Sequence, residues 1–442
     1  MNMMTKRLST LFLSLAPLTL AGAQTLAQTC TVSAGPGVPA TDLNRSIAVQ
    51  DGPGKQNEPS GGPGWTGADS TYSIKLPNGD TAFFYSDSYI GEWPPLSGDG
   101  SVSTDANGLR TRAVNCGPPL CNPPTSLFRA HNSIVIRNAS TGSLTTLSGS
   151  RDAFGFSTSY FHPTNPDHWY WMGDSIVVQV NTTGARKLWT FLLEYDASYT
   201  FYGAAIAQMS LPGLAIETIQ PLNNIPPGST TVWGVSLWMD GNFGNNYLYV
   251  YGKGSPDGTN KRPYVALTNP ILGLSGVADT NNWYVWDGSQ WALGLSNAAP
   301  IIGATNDPRN AGDSISDEYS VKKIRSSAGT TYLLVAQDTK PAYGLWKDIV
   351  IYSACNPQGP FSARQVVYST PETGATKVPG MNASQNLTAG MLTYNPHSHP
   401  QFTTNGNLVI SYNVNAGASA DLLYADTYRP RFIRIPILGL LP

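Results

Sequence analysis

The sequence predicts an all-β fold, a single-domain five-bladed β-propeller, on three observations. Past the N-terminal segment, no stretch of convincing length repeats apolar residues at helical spacing. Short runs rich in Tyr, Trp, Phe and Val recur instead, separated by turn clusters such as PNGD and DGTN. The chain of 442 residues is too long for one β-sandwich, whereas units of roughly 70 to 85 residues would give five blades.

The first 23 residues have the features of a secretory signal peptide. Met1–Arg7 is basic, Leu8–Leu20 is apolar but too short to span a bilayer, and Ala21–Ala23 is a cleavage motif. We therefore expect a secreted protein, extracellular or periplasmic, in which residues 24–442 form the propeller. The C-terminal RPRFIRIPIL is expected to be a closing strand of the first or last blade.

Composition indicates a neutral ligand. Charged residues make up 12% of the chain, against about 25% in ordinary globular proteins, and the formal net charge is −2. Such a chain offers no strongly basic surface for nucleic acid or for an anionic membrane. The 11 Trp and 22 Tyr suit the stacking of flat, neutral ligands such as sugars. We expect a monomer that binds a polysaccharide without a cofactor, and a structural Ca²⁺ on the propeller axis is left open.

Four cysteines allow three disulfide pairings. Export makes disulfides the expected state, and the sequence favours Cys116–Cys121, which closes the short loop CGPPLC, together with Cys30–Cys355. Residues 94–126, rich in Pro, Gly, Ser and Asp, are interpreted as a long disulfide-bearing loop at the mouth of the propeller.

Two acids flank a predicted β-hairpin in the stretch WTGADSTYSIKLPNGDTAFFYSDSYIGEW. Asp69 precedes the first alternating run and Asp87 follows the second, and Asn78-Gly79 between them predicts a two-residue turn. Two carboxyl groups some 5 to 10 Å apart are what glycoside hydrolysis requires, one as acid and one as base or nucleophile. Asp69 is the candidate base and Asp87 the candidate acid.

The predicted turn also fixes a register. It pairs Pro77 with Asp80, which places Asp69 opposite Ser88 and the two acids on opposite faces of the hairpin. A bulge or a break of strand geometry at Ser86 would then be needed to bring the acids together.

Other residues are candidates for substrate contact because they are aromatic or polar and lie at strand entrances or edges. They are Trp65, Trp93, Trp169, Trp171, Trp238, His131, Asn132, His399, Asp174, Asp240 and Glu318. His397 and His399 share a strand face, but no third ligand is evident, so no metal site is predicted.

The hairpin resembles a family of bacterial secreted propeller proteins that contains endo-D-arabinanases, enzymes of mycobacterial arabinogalactan and lipoarabinomannan degradation. The resemblance rests on WTGAD-x-TYS, LPNG and the aromatic-x-SD segment that follows, with HNSIVIR, WYWMGDSIVV and HPQFTTNGNLVISYNVN further along. It covers most of residues 60–430. It implies a five-bladed propeller, catalytic aspartates at Asp69 and Asp87, and inversion at the anomeric carbon.

Two alternatives stay open at this point. The same two aspartates would serve a hydrolase of another furanoside polymer, such as L-arabinan or a fructan. A secreted carbohydrate-binding propeller without catalysis would also explain the aromatic residues and the low charge.

Overall fold

The computed structural model describes residues 30–46, 64–91, 102–104, 110–112, 130–153, 157–226, 229–241, 246–304, 307–326, 329–340, 346–378, 380–382 and 384–441. The predicted signal peptide, Trp93 and the predicted Cys116–Cys121 pair lie outside these residues. None of the helices in the described ranges is long and apolar enough to cross a membrane.

Strands dominate the described chain, and the helices are short. In chain order the strands are β1 (Val38–Pro39), β2 (Gly64–Ala68), β3 (Tyr72–Lys75), β4 (Thr81–Tyr85), β5 (Ser88–Gly91), β6 (Val102–Thr104), β7 (Arg110–Arg112), β8 (Ser133–Arg137), β9 (Leu144–Leu147), β10 (His168–Gln179), β11 (Arg186–Asp196), β12 (Phe201–Met209), β13 (Ile216–Pro221), β14 (Val232–Asp240), β15 (Tyr247–Gly254), β16 (Arg262–Thr268), β17 (Tyr284–Trp286), β18 (Trp291–Leu293), β19 (Ser320–Ser326), β20 (Gly329–Gln337), β21 (Asp348–Ala354), β22 (Gln365–Ser369), β23 (Leu392–Ser398), β24 (Asn407–Asn415) and β25 (Arg429–Pro436). The helices are α1 (Thr41–Ser46) and α2 (Gly273–Ala278), with 3-10 turns at Pro270–Leu272, Thr280–Asn282, Leu295–Asn297, Pro400–Phe402, Ser419–Leu423 and Ala425–Thr427.

Five sheets form the blades of a propeller. Blade 1 is β3-β4-β8-β9, blade 2 is β10 to β13, blade 3 is β14 to β18, blade 4 is β19 to β22, and blade 5 is β23-β24-β25-β1. The innermost strands β3, β10, β14, β19 and β23 contact one another in that order around the ring. The ring of Tyr72 on β3 lies 4.1 Å from that of His397 on β23, which joins blade 1 to blade 5. The predicted five-bladed propeller is confirmed.

Blade 5 is built from both ends of the described chain. Strand β25, within the predicted closing segment, is its third strand, and β1 pairs with the outer edge of β25 through Val38 and Arg434. Asn44 of α1 fixes this edge, because its side chain bonds both the N–H and the carbonyl of Phe432. The Cys30–Cys355 disulfide, as expected from the sequence, ties the segment before β1 to the end of β21 in blade 4.

An apolar cluster fills each of the five gaps between neighbouring blades. Strand β4 contributes to two of them, because Ala82 and Phe84 pack towards blade 2 while Phe83 and Tyr85 pack towards blade 5. Successive side chains of a strand point to opposite faces, so a strand buried on both faces is apolar throughout. This explains why TAFFY is a continuous apolar run and does not alternate.

The β3–β4 hairpin has a different register from the one predicted by Asn78-Gly79. Leu76, not Pro77, pairs with Asp80: the Leu76 N–H donates to the Asp80 carbonyl at 2.8 Å, and the Leu76 carbonyl accepts from Gly79 N at 2.9 Å. The loop therefore has three residues and places Gly79 at φ +95°. A three-residue loop with a left-handed residue at its end is a common alternative to the two-residue turn.

This one-residue shift changes which residues face each other at the open end of the hairpin. The β3–β4 ladder shares its register with the adjoining part of the β2–β5 ladder, in which Gly67 faces Tyr89 and Ala68 faces Ser88. Asp69 and Asp87 therefore occupy facing positions between the two ladders, where Ser86 N donates to the Asp69 carbonyl at 3.1 Å. The register places the two acids opposite each other, and the strand is also broken at Ser86 and Asp87, between the end of β4 at Tyr85 and the start of β5 at Ser88.

The hairpin loop gives a test of the Gly79 conformation. We expect Gly79→Ala to lower stability by about 1 kcal/mol, because a Cβ is disfavoured at positive φ. Gly213→Ala is the control, since Gly213 has no positive φ and no atom within 4 Å of an added Cβ. Chemical denaturation of both variants measures the difference, and equal stabilities would contradict the positive φ of Gly79.

Candidate active site

A cavity of about 830 Å³ opens over the end of the ring at which the innermost strands begin. Every blade, or the segment leading into it, contributes to its lining: Asp69 comes from blade 1, Tyr195 from blade 2, Lys253 from blade 3, Glu318 from the entrance to blade 4, and Tyr394 from blade 5. A concave site at which separate elements converge is the usual place for ligand binding.

Asp69 lines this cavity from the segment between β2 and β3. Its Oδ2 accepts a hydrogen bond from the Tyr394 hydroxyl at 3.0 Å, whereas Oδ1 is buried and accepts none from the described residues. Burial raises the pKa of Asp69 well above its usual range, and the nearby Asp87 and Glu318 raise it further; the hydroxyls of Tyr394 and Tyr428 lower it by less. The surroundings of Asp69 therefore favour the protonated form of its carboxyl group.

Asp87 lies between β4 and β5, and its side chain points towards blade 2, away from the side chain of Asp69, which bonds blade 5. Its Oδ1 accepts from Trp171 Nε1 at 2.9 Å and from His131 Nδ1 at 2.8 Å. Its Oδ2 makes no hydrogen bond within the described part of the chain. Two N–H donors on one oxygen favour the ionised carboxylate. Each acid of the facing pair thus uses one oxygen to hold its position and keeps the other oxygen unpartnered.

Glu318 is a third carboxyl group in the same cavity. Its Oε1 accepts from Ser70 Oγ at 2.6 Å, and its Oε2 lies 3.0 Å from His397 Nε2. Burial raises the pKa of Glu318 to about 8, although Ser70 and Lys253 oppose the shift. Burial lowers the pKa of His397 to about 3. At neutral pH a neutral carboxyl group and a neutral imidazole therefore lie side by side.

The blade 3 side of the cavity carries two ammonium groups and one carboxylate. Lys253 and Lys261 both form ion pairs with Asp317, which stands next to Glu318 in the chain. These charges lower the pKa of Asp317 to about 2, despite the burial that would raise it. Adjacent carboxyl groups are thus held in opposite protonation states by their surroundings.

Strained backbone is concentrated at this cavity. Seven described residues other than glycine have positive φ, and three of them line the cavity: Ser70, Trp346 and Asn395. Such residues persist only where the surrounding structure holds them, and they cluster at functional sites. Ser70 is an example: it has a left-handed conformation, and its hydroxyl donates a hydrogen bond to Glu318 in the cavity.

Three residues predicted to contact substrate are buried in structural roles. Trp65 is fully buried between blades 5 and 1, where it stacks on Tyr85 at 4.8 Å. Asn132 is also fully buried, and its side chain bonds the backbone of Phe161 and Tyr170. The buried His399 has both ring nitrogens bonded, to the hydroxyls of Ser73 and Ser411. These three predictions are wrong, because burial inside or between blades removes the side chains from any ligand.

Asp174, Trp238 and Asp240 also lie away from the cavity lining. Asp174 is buried inside the ring, where its Oδ2 accepts from Lys322 Nζ at 2.6 Å and from Leu237 N at 2.8 Å. Trp238 packs between blades 3 and 4 near the end of β14. The Asp240 carboxylate pairs with Lys323. None of these three side chains lines the cavity, and each joins innermost strands or neighbouring blades in the structure.

Among the predicted contacts, Trp171, His131 and Glu318 do lie at the site, whereas Tyr394, Tyr195 and Ser70 were not predicted. The only sequence signal near Tyr394 is the following Asn395-Pro396, because Asn before proline indicates a turn. That signal does not predict that the Tyr394 hydroxyl bonds Asp69.

Within the described residues, no group of three or more His, Cys, Asp or Glu side chains is arranged to hold a metal ion.

Replacing Glu318 by Gln should remove one source of pH-dependent stability. The ordinary pKa of 4.5 applies to the unfolded chain and the value of about 8 to the folded one. Between these values the unfolded chain releases a proton that the folded protein keeps, so rising pH favours unfolding, by at most about 1.4 kcal/mol per pH unit.

Chemical denaturation from about pH 5 to about pH 8 checks this expectation. The wild type should lose stability relative to Glu318→Gln as the pH rises. Glu217→Gln, at an exposed carboxyl group, is the control and should follow the wild type. Parallel curves for the wild type and Glu318→Gln would contradict a neutral buried Glu318.

Solved structures that match this one have low sequence identity to it. A putative hydrolase from Bacteroides ovatus ATCC 8483 is 20% identical, with a TM-score of 0.57 over 84% of this chain and 86% of that one. A GH43 β-xylosidase/α-arabinofuranosidase from a compost microbial metagenome is 11% identical, with a TM-score of 0.42 over 92% and 95% of the two chains. An α-L-arabinofuranosidase from Fusarium graminearum is 10% identical, with a TM-score of 0.39 over 84% of each. At 20% identity, the similarity to the Bacteroides ovatus structure concerns the fold alone.

No protein with a curated description matches the sequence. A family match does exist, to the domain of unknown function DUF5005, over residues 122–436. The match begins before β8 and ends with β25, so it includes the last two strands of blade 1, blades 2 to 4 and most of blade 5. The hairpin that carries Asp69 and Asp87 precedes the matched residues. Because the match covers well over half of the sequence, the chain belongs to the DUF5005 family.

Proposed function

We propose that this protein is a secreted glycoside hydrolase that cleaves internal α-D-arabinofuranosidic linkages of D-arabinan. One observation carries the proposal: Asp69 lines a cavity to which every blade or its entrance contributes, Asp87 occupies the facing position in the hairpin, and each keeps one carboxyl oxygen unpartnered among the described residues. Glycoside hydrolysis needs two such groups, one to give a proton and one to take one.

Asp69 is the proposed general acid. Its raised pKa keeps a proton on the carboxyl group at a pH where an exposed Asp would have lost it. The proton would go to the glycosidic oxygen as the bond to the anomeric carbon breaks. The nearby charge of Asp87 is proposed to support this state, because it makes ionisation of Asp69 more costly.

Asp87 is the proposed general base, with its unpartnered Oδ2 available to a water molecule. The assignment reverses the roles expected from the sequence, in which Asp69 was the base. The reason is the environment, since Asp69 is desolvated while Asp87 is stabilised as an anion by Trp171 and His131. Carboxyl groups with unlike surroundings commonly divide acid and base roles in this way.

Inversion at the anomeric carbon is the proposed stereochemical outcome. The two side chains diverge from their facing positions, because Asp69 bonds Tyr394 of blade 5 while Asp87 bonds Trp171 of blade 2. This divergence supports a gap wide enough for water between the base and the sugar, which inverting enzymes require.

The choice of D-arabinan rests on the sequence motifs around the two acids and their resemblance to the endo-D-arabinanase family. The cavity is compatible with such a neutral polymer. Its two lysines, Lys253 and Lys261, are already paired with Asp317, and Trp171 and Tyr195 offer aromatic surface. Aromatic walls with few free charges suit sugars better than charged ligands.

Asp69→Asn and Asp87→Asn should each lower the digestion of mycobacterial arabinogalactan by about 1,000-fold or more, because each removes one proton-transfer step. Oligosaccharide chromatography should show a ladder of short arabino-oligosaccharides from the wild type and none from either variant. Asp167→Asn, at an exposed Asp, is the matched control and should digest like the wild type.

Three results would count against the proposal. Full activity of either variant would remove that aspartate from the chemistry. Digestion of L-arabinan or inulin in place of D-arabinan would change the substrate. Glycan binding without any digestion by a folded wild type would favour a binding module.

The acid and base roles can be separated with 4-nitrophenyl α-D-arabinofuranoside. Its leaving group needs no proton, so Asp69→Asn should lose much less activity on this substrate than on arabinan. Asp87→Asn should lose activity on both and regain part of it with added azide, which replaces the activated water. The opposite pattern would restore the roles expected from the sequence. Proton NMR of the first product formed reads the anomeric configuration, and a retained configuration would contradict inversion.

A further inference from the structure

An exposed tyrosine stands at the tip of the β11–β12 hairpin. Tyr199 is 66% exposed and has φ +59°, an uncommon conformation for an aromatic residue. The turn is fixed without burying the ring, because the Asp196 side chain accepts from Ser198 N and Thr200 N, and Tyr199 N donates to the Asp196 carbonyl. The backbone thus holds a large apolar ring in solvent.

Other aromatic rings support Tyr199 and form with it a surface that we term the aromatic platform, made of His131, Trp169, Trp171 and Tyr199. The Tyr199 ring lies 5.8 Å from Trp169 and 5.7 Å from Trp171, and His131 stacks on Trp169 at 4.4 Å. Packing of each ring on a neighbour already orders these side chains, so a ligand placed on them loses little free energy to the ordering of side chains.

The aromatic platform adjoins the proposed catalytic base. Trp171 and His131 both donate to Asp87 Oδ1, and Trp171 also lines the cavity. Tyr199 packs on Trp171, so only that one ring separates it from the Asp87 carboxylate; burial raises the pKa of the Tyr199 hydroxyl, and the Asp87 charge raises it further. The exposed ring therefore continues the cavity outward over blade 2.

We propose that the aromatic platform is a glycan-binding subsite, in which Tyr199 stacks on the apolar face of one neutral sugar ring of the polymer and His131 Nε2 accepts from a sugar hydroxyl. The ligand class rests on the proposed function. The chemistry fits both parts of a sugar: its C–H face matches an aromatic ring, and its hydroxyls need polar partners. His131 Nδ1 is committed to Asp87, so Nε2 is the acceptor nitrogen, and it makes no hydrogen bond within the described residues.

Binding should be measured in the Asp69→Asn background, so that the result does not depend on hydrolysis. Affinity electrophoresis in gels containing D-arabinan, L-arabinan or inulin gives the dissociation constant for each polymer. The test variant is Tyr199→Asn, because Asn tolerates positive φ and removes the ring. Tyr199→Phe keeps the ring, and Tyr284→Asn removes a 40% exposed tyrosine on β17, away from the cavity.

Tyr199→Asn should bind the preferred polymer about tenfold more weakly than its parent, the effect expected for the loss of one stacked ring. Tyr199→Phe and Tyr284→Asn should bind like the parent. Unchanged binding by Tyr199→Asn would overturn the subsite, and so would a parent that binds none of the three polymers. Tyr199-dependent binding in a protein whose wild type hydrolyses nothing would keep the subsite and reject the proposed hydrolase.

Discussion

Burial of both faces of every blade is the constraint on which the rest of this structure depends. A sheet with two apolar faces is stable only if neighbours cover both, and a ring of five blades meets that condition with one apolar cluster in each gap. The ring needs a closure, which β1 provides by pairing with β25. Closure brings the starts of five innermost strands to one end of the axis, and the cavity follows from that convergence.

Within the cavity, desolvation and charge repulsion set the protonation of the acids. Asp69 and Glu318 are buried and their pKa values are raised, whereas Asp317, beside Glu318 in the chain, has a lowered pKa because two lysines pair with it. The environment of each carboxyl group therefore decides its charge, and residue type does not. Such a site can hold a proton and an anion close together near neutral pH, which proton-transfer chemistry requires.

The site is also built from conformations that cost free energy. Ser70, Trp346 and Asn395 line the cavity with positive φ, and Tyr199 beside it shares that feature. The apolar gaps between blades supply the stability that holds such residues, since strained backbone persists only in a well-packed surrounding. The clusters between blades hold the fold, and the strand entrances carry most residues of the candidate site.

The sequence by itself determined the fold class, the number of blades, the closing strand and the pair of aspartates at one hairpin, because these depend on apolar patterning, turn residues and local spacing. The hairpin register was predicted one residue off, since PNG fits both a two-residue and a three-residue loop and only the flanking strands decide between them. Burial between blades decided that Trp65, Asn132 and His399 are structural, and that information belongs to contacts far apart in sequence. The partners of Asp69 and Asp87 come from blades 5 and 2 and from the entrance to β8, so only the tertiary structure determined which acid is desolvated and which is stabilised as an anion.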